Sequence, residues 1–520
     1  MEAQLQAQPQ VNPWIVAVAV MFGTFMEVLD TTVVNVSLPH IAGSLSATVD
    51  EATWVLSSYL VANAIVLPLT GWLANYFGRK RVLMIAVTSF TVTSLLCGLA
   101  PSLQLLVFFR VLQGLSGGSL QPLSQAVLLE TFPPEKRGSA MGFWGLGIVV
   151  APILGPVLGG WITDSHTWRW VFYINIPVGI TSLFMIKQFI FDPPYIRRTS
   201  SRVDCWGIGM LAVGIAALQM ALDKGQQEDW FASRWITGAI VLSAASLTLF
   251  VVHELRTSVP VLNLRVFKVR TYRTGVILMT MLGFALYGSL VMLPILLQTL
   301  LGYPAFQAGM ASSPRGVGSF IAMPVIGAIM IRFDPRKLLG VGLLVSAFTL
   351  FMLAGLNLNA GYWDIFWPQL IQGVSLGLIW VPLTTVTMDP IPKEVMGNAT
   401  SIFSLTRNLG ASMGIAASTT MLARRQQVHI NVLGAHVNPY SWQANLIARG
   451  LRSAWQAAGS DFFTASRQSD ASLFGLVQRQ AAMLSYVEIF SVLGIIFLIM
   501  MPLVLLMHRP ARAPRAVVAE

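Results

Sequence analysis

Arg110-Val111-Leu112-Gln113-Gly114-Leu115-Ser116-Gly117-Gly118 returns 259 residues later as Gln369-Leu370-Ile371-Gln372-Gly373-Val374-Ser375-Leu376-Gly377. The spacing persists, because Pro133, Glu135 and Gly138 fall on Pro392, Glu394 and Gly397. A second echo sets Gly71 to Arg81 against Gly327 to Lys337, each a glycine leaving an apolar run and followed by a basic turn. The chain is therefore built from two related halves. Parallel halves related by an axis along the membrane normal, with a site between them, are an architecture of secondary transporters.

Composition places those halves in lipid. Of 520 residues, 55% are hydrophobic and only 11% are charged, against about 25% charged in soluble domains. Most of the surface must face hydrocarbon. Fourteen apolar runs begin near Trp14, Trp54, Val82, Leu105, Ala140, Arg169, Cys205, Trp235, Gly275, Phe306, Leu338, Asp364, Asn398 and Leu484; a helix needs about 20 such residues to cross ~30 Å of hydrocarbon. The repeated stretches occupy runs four and twelve, so eight spans instead of six separate equivalent positions. Two helices have been inserted, and runs seven and eight are the candidates.

The expected fold is an all-α polytopic membrane protein with 14 transmembrane helices. Its predicted parts are a tail (1–13), a six-helix bundle (14–191), an inserted two-helix hairpin (204–253), a second six-helix bundle (275–507) with a long outer loop (423–482), and a tail (508–520). The hairpin reads either as structural filler or as a functional element. Cytoplasmic loops retain Lys and Arg during insertion. Arg79, Lys80, Arg81, Lys136, Arg137, Arg197, Arg198, Arg202, Arg336 and Lys337 all fall on the side of the termini, so both termini are predicted to be cytoplasmic. Residues 1–13 hold no Lys or Arg, which a cleaved signal peptide would need, and the first run is expected to remain as an anchor.

Several functions are excluded. A net charge of +11 would mark a nucleic-acid surface only if the basic residues shared one soluble face, and they are scattered between apolar runs. Cys97 and Cys205 fit neither a metal pattern nor a disulfide framework, and no metal spacing joins His429 and His436. No GxxxxGK[ST] loop is present, which excludes ATP-driven pumping encoded in this chain. No clustered nucleophile or acid-base set suggests an enzyme.

Glu27 and Asp30 lie near the middle of the first run, three residues apart and so on one helix face. A charge there costs ~2.5 to 3.5 kcal/mol and marks an ion or proton path. Withdrawing a carboxylate from water favours its protonated form, which lets it load and release a proton. Each acid reads as a proton carrier or as the structural partner of a cation. The basic residues inside runs are Arg110, Arg315 and Arg407. Arg110 is expected to hold a first-run acid in its charged form in one conformation and to leave it in another; Arg407 acts likewise in the second half or packs helices. Asn63, Gln113 and Gln372 are candidates for lining a substrate cavity or for plain interhelical hydrogen bonds.

Gly71-Trp-Leu-Ala-Asn75-Tyr-Phe-Gly78-Arg79-Lys80-Arg81 resembles the loop motif between the second and third helices of the major facilitator superfamily. Arg110-xx-Gln113-Gly114 resembles the superfamily's fourth-helix motif, and Ala151-Pro152-Ile-Leu-Gly155-Pro156-Val-Leu-Gly159-Gly160 resembles its antiporter motif. Leu29-Asp30-Thr-Thr-Val-Val-Asn35-Val-Ser-Leu-Pro39 resembles the first helix of the fourteen-helix, EmrB-type drug:proton antiporters; Trp168 to Pro177, with Asn175, and Arg407-Asn-Leu-Gly410 fit the same group. The resemblance implies a bacterial inner-membrane antiporter, driven by the proton gradient without a cofactor, that exports diverse hydrophobic or amphipathic drugs by alternating access. It implies proton coupling at Asp30, a cavity role for Asn35, gating at Gly71, Asn75, Gly78 and Arg79, and a hinge or proton seal at Gly155, Pro156, Gly159 and Gly160. Asn75 stands where the loop motif usually has an acid. Residues 423–482 read as a solvated loop with a little helix, or, as the resemblance implies, as the dock for a periplasmic membrane-fusion adaptor leading to an outer-membrane channel.

Overall fold

The computed structural model describes residues 12–192, 204–257, 260–330, 332–438 and 440–508, and every regular element among them is helical. Arg197, Arg198, Arg202 and nearly all of both predicted tails lie outside the described residues. The chain runs through α1 (Pro13–Ser44), α2 (Trp54–Phe77), α3 (Arg79–Leu99), α4 (Leu103–Thr131), α5 (Arg137–Ser165), α6 (Trp170–Phe189), α7 (Cys205–Lys224) and α8 (Arg234–Arg256). It continues through α9 (Arg270–Leu300), α10 (Pro314–Ile329), α11 (Pro335–Ala354), α12 (Tyr362–Met388), α13 (Met396–Ala435), α14 (Trp442–Ala457) and α15 (Phe462–Val504).

Local sequence sets the ends of these helices. Asn12 accepts the Trp14 N–H ahead of Pro13 at the first position of α1, Asp204 accepts the Gly207 N–H of α7, and Asp334 accepts the Arg336 N–H ahead of Pro335 in α11; each satisfies a donor that has no partner within its helix. Gly78 divides α2 from α3 at φ +90°, a conformation that side chains with a Cβ rarely adopt.

Twelve described helices are long and apolar enough to cross a membrane. The two remaining runs expected to span also fold as helices, α10 and α13. Pro314 starts α10 afresh after a short helix at Ala305–Ser312, leaving 16 residues. The first part of α13 carries Asn398, Thr400, Ser401, Ser404, Arg407 and Asn408; Asn398, Thr400, Ser401, Ser404 and Arg407 are buried against neighbours. The outer region differs from the expected loop: α13 continues unbroken to Ala435, α14 packs on α15, and α15 starts at Phe462. No glycine or proline interrupts residues 415–433, and Arg425 and His429 reach back to Glu488 on α15.

The packing repeats as the sequence does. In the first group α1 packs on α5 and α6, α2 on α4, and α3 on α4 and α6; in the second α9 packs on α13 and α15, α10 on α12, and α11 on α12 and α15. The groups meet through α2 against α13 and α5 against α10, and these seams are made by the glycines of the repeat. The Gly71 N–H donates to Ser401 Oγ at 3.0 Å, and a Cβ on Gly71 would lie 2.6 Å from the Asn398 nitrogen. A Cβ on Gly327 would lie 2.8 Å from the Gly138 oxygen, and one on Gly142 would lie 2.6 Å from the Met323 oxygen. Gly138 corresponds to Gly397 and Gly71 to Gly327, so one contact and its repeat image close the same end of the molecule, the end bearing the basic loops. Arg137 and Asp389 add an ion pair of 3.7 Å there.

The hairpin α7–α8 touches both groups. Asp223 bonds Ser57, and Lys224 Nζ donates to Thr53 Oγ1 at 2.8 Å on the α2 side. Gln219 Nε2 donates to Ser412 Oγ at 2.8 Å, and Trp230 Nε1 donates to Thr420 Oγ1 at 2.9 Å, on the α13 side. After α8 the chain crosses the same seam at the end bearing the basic loops, where Asn263 and Asn398 exchange two amide-to-backbone bonds of 3.1 Å. Gly71→Val should wedge α2 from α13, since overpacking costs about 1–3 kcal/mol. In a cysteine-free background the wedge should raise the labelling rate of a cysteine at position 401 several-fold, measured with a hydrophilic thiol reagent on protein in detergent; an unchanged rate would show that this seam does not hold that end closed.

Candidate functional site

Asp30, on α1, is fully buried, and Arg110 from α4 lies against it. Arg110 Nη1 donates to Asp30 Oδ2 at 2.5 Å, while Asp30 Oδ1 accepts Gln113 Nε2 at 3.2 Å and Asn175 Nδ2 at 2.8 Å. The carboxylate is thus held by three donors from α4 and α6. Arg110 Nε donates to the Val55 carbonyl at 3.0 Å, Nη1 also donates to Gln113 Oε1 at 2.7 Å, and the guanidinium lies 4.2 Å from the Tyr59 ring centroid. Asn175 is fixed in turn by Ser94 at 3.0 Å. Glycines allow this approach: Gly114 sits against the Tyr59 carbonyl and Ala62, where a Cβ would collide.

Glu27, one turn inward on the same face, is buried and accepts Asn63 Nδ2 at 2.8 Å, with Gln121 and Arg407 nearby. Arg407, on α13 of the other group, donates through Nη2 to Gln121 of α4 and lies 5.4 Å from the Trp380 ring centroid. Two charged centres result. Asp30 and Arg110 form a closed pair within the first group; Glu27, Gln121 and Arg407 face one another across the two groups. Each centre sets a buried acid near an arginine that keeps its charge at any relevant pH, and removing either member of such a buried pair leaves the other uncompensated.

The other expected residues separate. Gln113 belongs to the Asp30 cluster, and Asn63 to Glu27. Gln372 is buried on α12, where its Oε1 accepts Gln369 Nε2 at 3.5 Å. Asn35 is exposed, further out on α1. Gly155 and Gly159 press α5 onto Thr32 and Val33 of α1, while a Cβ on Gly160 would meet open space; Pro156 lies within the continuous helix α5. Arg79 is buried and paired with Glu130 at the inner end of α4. Asn75 lines an inner cleft with Gly71, Trp72, Pro260, Val261, Asn263, Val395 and Asn398. Among the described residues no group of three metal-binding side chains occurs.

Sequence reasoning missed Tyr59, Gln121, Asn175 as a ligand of Asp30, and Trp380. Asn175 carried a signal, being part of the stretch from Trp168 to Pro177; a single polar side chain within an apolar run, such as Gln121, does not disclose its partner.

The chain matches the family "Major Facilitator Superfamily" over residues 20–415. It is 40% identical to the multidrug export protein EmrB of Haemophilus influenzae over 429 residues, covering 82% of this chain and 84% of that protein. It is 36% identical to EmrB of Escherichia coli K12 over 495 residues, 94% of each, and 37% identical to the fatty acid resistance protein FarB of Neisseria gonorrhoeae over 497 residues, 95% and 96% respectively. In fold it is similar to the human organic anion transporter MFSD10, with a TM-score of 0.59 at 14% identity, covering 94% of this chain and 100% of that one. A polytopic helical chain with duplicated halves and these relatives belongs to the major facilitator superfamily, among its EmrB-type members, and is a transporter and not an enzyme.

Proposed function

We propose that this protein is a proton-coupled antiporter that exports structurally diverse hydrophobic or amphipathic compounds across a bacterial inner membrane by alternating access. The observation that carries the reading is the sealed Asp30–Arg110 pair beside a seam that joins two repeated helical groups. The relatives named as multidrug export proteins support the substrate class.

The magnitudes suit the task. Removing one partner of a buried ion pair costs about 3–5 kcal/mol, and taking a two-state equilibrium from 1:99 to 99:1 needs about 5.5 kcal/mol. A proton delivered to Asp30 cancels the charge that holds Arg110, so protonation alone can supply most of the bias between conformations. Arg407 supplies the corresponding charge on the other side of the interface, leaning on Gln121. In this reading the end bearing the basic loops is the cytoplasmic one, and the glycine seams hold it shut in the conformation described here.

In this reading α10 and α13 also cross the membrane, giving fourteen spans: two six-helix bundles (14–191 and 275–507) with the hairpin 204–253 braced across α2 and α13. Both termini are cytoplasmic, as the basic loops require. The outer helices of residues 423–482 then project on the periplasmic side, where they would meet an adaptor and through it an outer-membrane channel.

Everted vesicles test the coupling. Wild-type protein should accumulate cationic and neutral dyes on energisation and lose them when an uncoupler is added. Asp30→Asn should abolish gradient-driven accumulation while downhill exchange of the dye persists; undiminished uphill transport by that variant would refute the assignment. Asp30→Ala should lower unfolding stability by about 3 kcal/mol or more, because it strands Arg110, and Asp30→Leu combined with Arg110→Leu should recover most of that loss, as read by thermal unfolding in detergent.

A further inference from the structure

Arg315 is the third basic residue inside a predicted span, and neither ion-pair cluster uses it. It lies on α10 at 7% exposure, and its Nη2 donates to Ser289 Oγ of α9 at 2.9 Å. Its Nε has no hydrogen-bond partner, and neither has Nε2 of Gln372, which is buried on α12. The carbonyl of Arg315 packs directly on Gly373, the residue after Gln372.

The repeat identifies this place. Gly114 packs on the Tyr59 carbonyl and the Asn63 nitrogen; Gly373 packs on the Arg315 carbonyl and the Ser319 nitrogen. Tyr59 therefore corresponds to Arg315, Arg110 to Gln369, and Gln113 to Gln372. In the first half the cluster of arginine, tyrosine and glutamine closes around Asp30. The second half has the arginine and two amides without the acid. The sequences of α9, α10, α11 and α13 contain no Asp or Glu; Asp364 of α12 lies in its first turn and accepts the Gly361 N–H, Asp470 of α15 is exposed, and Glu488 of α15 is taken by Arg425 and His429. A buried guanidinium without a counter-ion is costly, and buried donors left unpaired require a reason.

We propose that Arg315, with Gln369 and Gln372, receives the carboxylate head group of an amphiphilic substrate, supplying in the second half the acid that Asp30 provides in the first. A carboxylate accepts from a guanidinium and an amide in plane, and its alkyl or aromatic body would lie along the apolar walls of the bundle. This proposal rests on the export reading and narrows it to substrates that include acidic amphiphiles.

The test uses the full chain in nanodiscs and reads thermal unfolding by tryptophan fluorescence against decanoate and, separately, decyltrimethylammonium. Wild-type protein should bind decanoate at least tenfold more tightly than Arg315→Gln does, with Arg315→Lys intermediate and Gln372→Leu several-fold weaker than wild type. Equal decanoate affinity in wild type and Arg315→Gln overturns the proposal. If Arg315→Gln does not fold, Arg315→Lys and Gln372→Leu decide, and decanoate binding unchanged in both overturns it equally. Nanodiscs with and without phosphatidylglycerol separate the sources of the anion: the proposal requires the same decanoate affinity in both, and displacement of decanoate by the lipid would give the site to a phospholipid head group and overturn the substrate assignment. Wild-type protein that extrudes dyes yet binds decanoate no better than Arg315→Gln does removes only this proposal, whereas wild-type protein that extrudes no dye removes the export reading itself.

Discussion

A carboxylate and a guanidinium held 2.5 Å apart without access to water set the terms for the rest of this molecule. Such a pair is not a source of net stability, because desolvating two ions offsets most of their attraction. Its value lies in what happens when one charge disappears. Arg110 keeps its charge at any relevant pH, so the contact stands or falls with the charge on Asp30. Around it stand groups that keep it dry and in register: Gln113 and Asn175 on the carboxylate, and Tyr59 and the Val55 carbonyl on the guanidinium.

The architecture around the pair is duplicated. The same glycine meets its counterpart's neighbour twice, Gly71 at Gly397 and Asn398, and Gly327 at Gly138, so two equivalent seams close one end together. Seams made by backbone approaching backbone part without unthreading long side chains. The hairpin α7–α8 bonds to α2 through Lys224 and Asp223 and to α13 through Gln219 and Trp230, which makes it a brace across the seam between those two helices.

Much of this was legible in the chain, for identifiable reasons. Hydropathy located the helices because lipid allows no exposed backbone alternative, and the repeat paired the halves because equivalent positions kept equivalent glycines. Glu27 and Asp30 announced themselves as acids where charge is costly. Other features were hidden. The polar face of α13 weakens its hydropathy although that face is buried in protein, so apolarity alone undervalues a helix packed inside a bundle. Residues 423–482 read as a loop because they are polar, yet polarity marks solvation and not irregular backbone; their continuous helices follow from the lack of helix breakers between 415 and 433. Gln121 and Tyr59 became visible only once helices distant in sequence were placed side by side.

Proton release on substrate binding tests the central claim most directly. Purified protein in weakly buffered detergent, with a pH-sensitive dye as reporter, should release protons when a transported dye is added, and Asp30→Asn should release none while still binding the dye. Equal proton release from wild type and Asp30→Asn would contradict the account, because the coupling proton would then reside on another group.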